Sequence, residues 1–522
     1  MNRLPLLALS LLLSGASFAQ DRQDLEYRDV DLEETADKAL QVGGRFESAW
    51  YEFNNLDFRE LDESGDQAIL DSDDRGAFAF TGLGIDISYQ VEDNLRMVVS
   101  GSHRGLWGND QFGNTNAFGG WVYFNAAYID VRLGTGDERP SFRIGRQYFE
   151  IGGLGDAPDY VLADVLDMVR LDLPIAGFGN LIVIPANIFT AAAENDGANF
   201  VSYIGQGDVE TFNFRGDTLT RRHGAVLEMT EVGPIEARAY GFYTDLGAAG
   251  TGSDITYDGL IGNFSDGDYV VNYGVRAQAS FGPVQPYVHF DGSGGVDRKE
   301  AVAQDVNSAG LAWGAGVTVD TTLDDENDAG LKARVSYFDA FGPAYTDNGL
   351  LFSHGYVGMK AQQAGGLLFN RFLGFHPTAY TSRMGITDNP QDRSRKSGTR
   401  ELHASASGEM PGVMWFGAGW WMLQDTGVSD VAFNNLDRIT PPFGYARAEF
   451  EAEKRLGQTL GHEINVDIGA HAMEHLDVFL NTGMILGSSF YGTEIARVAG
   501  SALGAKNPAM PWAIAGGTRV RF

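Results

Sequence analysis

The closing segment, Trp512-Ala-Ile-Ala-Gly-Gly-Thr-Arg-Val-Arg-Phe522, constrains the fold more than any other stretch of the chain. Side chains of a β-strand alternate between two faces. Trp512, Ile514, Gly516, Thr518, Val520 and Phe522 therefore share one face, and Ala513, Ala515, Gly517, Arg519 and Arg521 share the other. The apolar face begins on Trp and ends on a terminal Phe, one strand-length apart. That spacing suits the two aromatic girdles of a membrane barrel, with the arginines turned to the lumen. The alternative is an edge strand of a soluble sandwich. The rest of the chain decides between them by supplying, or failing to supply, the other strands.

It supplies them in pairs. The alternation predicts strands over 40–53, 77–90, 95–106, 121–133, 141–149, 165–173, 180–187, 219–231 and 235–243. It continues with 269–281, 284–291, 309–320, 330–338, 398–409, 413–424, 461–473 and 476–486, then the closing strand. Tight turns such as Val91-Glu92-Asp93-Asn94 and Met410-Pro411-Gly412 alternate with long connections such as 54–76 and 340–396. Short turns on one side and long loops on the other mark a barrel that crosses a membrane. The fold expected is all-β: a transmembrane antiparallel β-barrel of about 18 strands, with short periplasmic turns and long extracellular loops. Two segments resist the rhythm. Phe443–Arg455 reads as an extra strand or a short external helix. Leu350–Phe375 either folds into the lumen as a constriction or extends the barrel above the membrane.

Composition agrees. The chain has 522 residues without a linker-like break, and 68 Gly, 33 Phe and 20 Tyr are spread along its length. Residues 1–19 read as a secretory signal: Arg3, an apolar run from Leu4 to Leu13, and Ser17-Phe18-Ala19 before the cut. Residues 20–38 form an acidic periplasmic leader, too short for a plug domain, and 39–522 form the barrel. Beyond the signal no run of apolar residues is long enough for a spanning helix, so a membrane protein of this sequence must be a barrel. A mean hydropathy of −0.17 fits strands whose two faces average out.

The net charge of −32 argues against nucleic acid as a partner. The absence of Cys excludes disulfides, thiolate chemistry and haem attachment through cysteine. On the strands, however, acid and base are nearly balanced. Arg45, Arg96, Arg132, Arg143, Arg170, Arg222, Arg238, Arg276, Lys332, Arg334, Arg519 and Arg521 are the basic candidates for an anion path, to which the family resemblance below adds Arg146. Glu47, Asp86, Asp130, Asp172, Glu228, Glu236, Glu401, Glu463 and Asp467 are their acidic counterparts. Charge facing lipid at mid-bilayer costs about 2–4 kcal/mol for Arg or Lys, so these side chains are expected to face inward. Strict alternation nevertheless sends Arg143 and Arg146 to opposite faces, so a bulge or the strand's end must intervene at Gly145 if both are to face in. Guanidinium groups hold carboxylates in a planar fork, which suits an acidic solute. The plainer reading is that they pair across strands and brace a wet wall.

The excess acid lies in loops. Asp71-Ser72-Asp73-Asp74 and the turn Asp324–Asp328 are the nearest approach to calcium ligands, without EF-hand spacing. Solvated or lipopolysaccharide-bridging acid is the preferred account, and no cofactor is expected. No metal-binding spacing joins the nine His. His289, Asp291 and Ser293 fall on one face, but no nucleophile elbow is present, so the expectation is a channel and not an enzyme.

Two stretches resemble the alginate-export family of outer-membrane porins. Phe142-Arg-Ile-Gly-Arg-Gln-Tyr-Phe149 resembles that family's strand leading to Gly-Arg-Gln. Leu460-Gly-His-Glu-Ile-Asn-Val-Asp467, followed by a turn and two strands ending in Phe, is similar to the start of its last three strands. Position 465 departs from it, with Asn where an acid is usual, and the aromatic-Pro-Gly segment is missing around Ser488–Thr493. The resemblance implies an eighteen-stranded barrel that passes an anionic, alginate-like polysaccharide outward, with Arg143 and Arg146 as lumen residues. The expectation is a monomer in the cell outer membrane, among lipid and lipopolysaccharide. It is inserted by the barrel-assembly machinery through its C-terminal Phe strand and possesses a diffusive, charged lumen, with periplasmic secretion partners left open. The alternatives are a nonspecific porin for small solutes and a loop-closed barrel serving as scaffold or adhesin.

Overall fold

The computed structural model describes residues 40–54, 75–106, 122–135, 139–151, 160–190, 219–245, 269–297, 306–307, 309–324, 329–342, 344–345, 351–353, 355–356, 358, 365–372, 399–426, 459–487 and 510–522. The signal, the leader, the acidic stretch 71–74, residues 325–328 and Phe443–Arg455 lie outside them.

The strands are β1 (Leu40–Asn54), β2 (Arg75–Glu92), β3 (Leu95–Leu106), β4 (Val122–Arg132), β5 (Ser141–Glu150), β6 (Ala163–Ile175) and β7 (Gly179–Thr190). They continue as β8 (Leu219–Val232), β9 (Ile235–Asp245), β10 (Tyr269–Ala279), β11 (Val284–Asp297), the short β12 (Val306–Asn307), β13 (Gly310–Asp324) and β14 (Ala329–Ala340). Two further short strands, β15 (Ala344–Tyr345) and β16 (Leu351–Ser353), precede β17 (Thr399–Met410), β18 (Met414–Asp425), β19 (Thr459–Met473), β20 (Leu476–Leu486) and β21 (Trp512–Arg521).

Leaving aside β12, β15 and β16, each strand pairs antiparallel with the next, and β21 pairs with β1 from Trp512↔Asn54 to Arg521↔Arg45. The result is a closed 18-strand barrel without an edge. The predicted strands lie within a few residues of the observed ones, and 95–106 and 476–486 coincide with them. The largest extension is at the loop end of β11, which runs past its predicted limit at Asp291 to Asp297, followed by β13, which runs on to Asp324 on the turn side. The start of β1 and the end of β21 meet on the short-turn side. There Phe522 exchanges backbone hydrogen bonds with Gly44, whose missing Cβ leaves room for the Phe522 ring.

The outer wall is apolar. Val42, Val275, Val335, Val466 and Ile468 are among the large hydrophobic residues that stay exposed. Aromatic residues mark the two rims of this belt: Tyr89 and Phe522 toward the turns, Trp50, Tyr243 and Trp313 toward the loops. In water such a surface would drive association. Around a closed barrel it is the lipid-facing band, and the two aromatic rims are the girdles. The protein is therefore an outer-membrane β-barrel.

The interior is not an open tube throughout. Inward side chains of β1 and β2 stack, with Tyr51 5.0 Å from Phe78 and 5.6 Å from Phe80. A buried cluster joins them to Tyr160, Tyr356 and Leu367–Phe369, which come from the loop side. A second cluster gathers Phe149, Leu166, Ile182, Ile184, Val226 and Phe242 with Ile151, Val161 and Leu162. Two connections, the one after β5 and the one after β14, thus send apolar side chains down onto the inner wall.

Candidate functional site: the charged inner wall and its inserted segment

Alternation places every basic candidate except Arg146 on the inner face. On β5 the registers to both neighbours run unbroken through Gly145, which pairs Tyr128 on one side and Met168 on the other. No bulge intervenes although Gly145 has φ 125. Arg146 consequently points outward, where it donates to Asp167 at 2.9 and 2.7 Å. The expectation that Arg146 lines the lumen is corrected: uninterrupted alternation overrides the cost of a charge on the outer wall.

The inward set forms ion pairs along neighbouring strands. Arg143 pairs with Asp130 at 3.2 Å and lies over the Tyr128 ring. Arg170 pairs with Asp172 at 2.7 Å, and Arg238 with Glu228 at 3.2 Å. Arg276 is 3.8 Å from Asp291, a buried carboxylate that also accepts from Tyr240 at 2.6 Å. Arg519 pairs with Glu47 at 3.2 Å across the closing seam, over the Phe479 ring. Arg521 is 3.8 Å from Asp477, which sits 2.7 Å from His471. Arg45 lies across Gly84, where a Cβ would collide with it. Arg96 donates to Ser88, and the buried Arg222 to Thr244. Arg132 and Lys332 stand on the inner face toward the turn side, and Arg334 is buried beside Ser336 and Ser405.

Six of these arginines form three ladder pairs with one another. Arg143 faces Arg170, Arg238 faces Arg276, and Arg45 faces Arg521. Like charges directly opposite one another are destabilising, so wall bracing alone does not account for them.

Within 350–375, the segment Leu367–Phe372 enters the barrel as one π-helical turn against β19 and β20. Its first amides have no partner within the turn. Glu463 supplies one, accepting from the N–H groups of Gly366 at 3.1 Å, Leu368 at 2.6 Å and Phe369 at 2.9 Å. Asn465 accepts from Leu367 N–H at 2.9 Å and donates to Glu463 at 2.9 Å. A carboxylate at 465 has no N–H to donate, which explains Asn there. Gly366 and Gly483 complete the fit, because a Cβ on either would strike Asn465.

The connection after β5 is held comparably. Arg238 donates to the Ile151 carbonyl at 2.9 Å. Tyr160 packs edge-on against Phe338 and donates to Glu401 at 2.7 Å. Burial, then the Glu401 charge, hold the Tyr160 hydroxyl well above its usual range, so it remains a donor. Sequence reasoning gave Tyr160 no role; it lies in a long connection without periodic signal.

His289 and Asp291 are neighbours at 2.7 Å, while the Ser293 hydroxyl turns to the Gly355 carbonyl at 3.4 Å. Among the described residues no three metal-ligating side chains gather.

A closed barrel with a lipid-facing belt and a polar, charge-bearing inner wall defines the class: an outer-membrane β-barrel protein. No protein-family model matches the chain, and no curated protein matches it in sequence. Its fold is similar to that of OprB from Pseudomonas putida, at 10% identity and a TM-score of 0.40 over 98% of this chain and 99% of that one. It is also similar to Wzi of Escherichia coli, a carbohydrate-binding β-barrel involved in group 1 capsule assembly. There the identity is 10% and the TM-score 0.44, over 91% of this chain and 83% of that one. An anion-selective porin from Comamonas acidovorans aligns at 10% identity and a TM-score of 0.35, over 92% and 99% of the two chains. These likenesses concern the fold alone, and the resemblance to alginate-export porins rests on its two short stretches.

Proposed function

We propose that the protein is a diffusion channel for anionic solutes, with acidic, alginate-like polysaccharide as the preferred class. The observation that carries this reading is the set of opposed arginines on the inner wall: Arg143 with Arg170, Arg238 with Arg276, and Arg45 with Arg521. A guanidinium offers a planar fork of N–H donors that matches a carboxylate, and two of them side by side concentrate positive charge where an acidic solute would pass. Acid on the wall keeps that attraction weak enough for the solute to leave, as conduction requires. No energy source or cofactor enters this scheme. Lipopolysaccharide at the external loops and the assembly machinery at the Phe522 strand are the partners that go with it.

The test is single-channel recording in a planar bilayer under a salt gradient, followed by addition of an acidic oligosaccharide. Anion selectivity with oligosaccharide-dependent blockades is the expected result. Cation selectivity without blockades would overturn the anionic reading and leave a nonspecific porin.

A second reading has its own support. Tyr160, Tyr356 and Leu367–Phe369 bury apolar surface inside the barrel, which suits a loop-closed barrel acting as scaffold. Its signature is a folded, inserted protein that carries no current.

A further inference from the structure

The outer wall at β5–β8 carries what lipid tolerates least. Arg146 and Asp167 form a two-bonded ion pair there, with side chains 41% and 48% exposed. Its height follows from the registers. Starting near the turn-side end of β1, Val42 partners Ile87, Ile87 partners Val99, Val99 partners Ala127, and Ala127 partners Arg146. Arg146 then partners Asp167; beside the next pair, Met168↔Asn187, the line resumes at Ile188, which partners Arg221, and passes through Asp245 to the loop-side end of the wall at Tyr269. The ion pair sits midway along this line, at the depth where lipid-facing charge is costliest.

Two further features accompany it. β7 bulges at Pro185–Ala186, so that its ladders to β6 and to β8 are both interrupted. On the same outer face, the His223 ring hydrogen-bonds the Pro185 carbonyl. In hydrocarbon each backbone polar group needs a protein partner, and here an imidazole is placed on the lipid side to meet one. An ion pair, an imidazole and a broken ladder on four adjacent strands indicate a wall that faces protein.

We propose that this face is an interface with a second copy of the chain. The argument for that occupant is charge complementarity. Arg146 and Asp167 lie side by side, so a copy related by a two-fold axis along the membrane normal presents Asp167 to Arg146 and Arg146 to Asp167. One patch complements itself, as an isologous contact requires. The single-copy expectation from sequence gives way to a dimer, and this inference is independent of what the lumen passes.

Because the chain contains no Cys, a single introduced thiol reports the contact. Ile144 lies next to the ion pair on the outer face, and Val466 lies on the outer face of β19. Ile144→Cys treated with a thiol oxidant in isolated outer membranes is expected to give a band at twice the chain mass. Val466→Cys should stay single. Adding Arg146→Glu to Ile144→Cys puts two acids on each patch and should abolish the band, and further adding Asp167→Arg should restore it. Heat-modified mobility on gels establishes that each variant is folded. Cross-linking at neither position, equally at both, or to a different protein would overturn the proposal, and the two single-Cys proteins decide it even if the charge variants fail to fold.

Discussion

Arg143 stands directly opposite Arg170 across the β5–β6 ladder, and both point into the barrel. Each leans on a carboxylate, Asp130 at 3.2 Å for one and Asp172 at 2.7 Å for the other. The acids neutralise the wall, yet they do not come between the two guanidinium groups in the ladder. A barrel built only for stability would place an acid opposite an arginine. The arrangement therefore points to what moves past the wall.

Replacing both residues, Arg143→Ala with Arg170→Ala, should lower the chloride-over-potassium permeability ratio. One unit charge about 4 Å from a passing ion is worth about 1 kcal/mol at the dielectric of water. Two such charges lost, partly offset by screening, lower the ratio by roughly tenfold. Reversal potentials at about 0.1 M salt check this. The difference should shrink near 1 M, where the Debye length falls to about 3 Å. An unchanged ratio at low salt would remove these arginines from the conduction path.

Glu463 holds the inserted segment through three backbone N–H groups. Glu463→Ala leaves those amides without their acceptor, at a cost of about 1–3 kcal/mol for each group that finds no substitute. The segment is expected to leave the wall, raising single-channel conductance while the barrel stays folded. Glu463→Gln retains an acceptor oxygen and should fall between the variant and the parent. Conductance unaltered in Glu463→Ala would show that Leu367–Phe372 does not narrow the path.

The seam that closes the barrel makes a separate prediction. Glu47 and Arg519 join β1 to β21 with side chains only 3% and 9% exposed. Removing one member of a buried pair costs about 3–5 kcal/mol, because the other is left charged and buried. Glu47→Ala should thus lower the temperature at which the folded band disappears on gels, whereas Glu47→Ala with Arg519→Met should recover most of the loss. A double variant no better than the single one would contradict this account.

How much of this was legible in the sequence differs by element. Trp512–Phe522 announced its faces because each apolar residue alternates with a small or basic one, and the structure keeps that alternation to the last residue. The strands were legible for the same reason, and their ends less so, since β11 runs on through Gly292–Asp297, a glycine-rich stretch whose composition is that of a loop. Arg146 was legible as alternation and misread as chemistry: the spacing from Arg143 already sent it outward. Its partner Asp167 comes from the next strand, and only the register brings the two together. The inserted turn was half legible. Leu350–Phe375 was open to two placements, because its position depends on Glu463 and Asn465, almost a hundred residues away, offering acceptors to its amides.

The membrane itself supplies the last prediction, because lipid penalises charge by depth and water does not. Ile468 is exposed on the outer wall at mid-strand, and Val413 is exposed in the turn between β17 and β18. Arginine at the midplane costs about 2–4 kcal/mol, falling to about 0–1 kcal/mol near the interface. Ile468→Arg should therefore destabilise the barrel by at least about 2 kcal/mol more than Val413→Arg when both are unfolded by denaturant from lipid vesicles. The stem of an arginine near the interface can also lie along the belt while its head reaches water, which widens the gap. Equal costs at the two sites would mean that the apolar wall meets something other than a bilayer. A cost at Ile468 alone fixes the turn side of β17 and β18 at the membrane surface and the middle of β19 in its hydrocarbon.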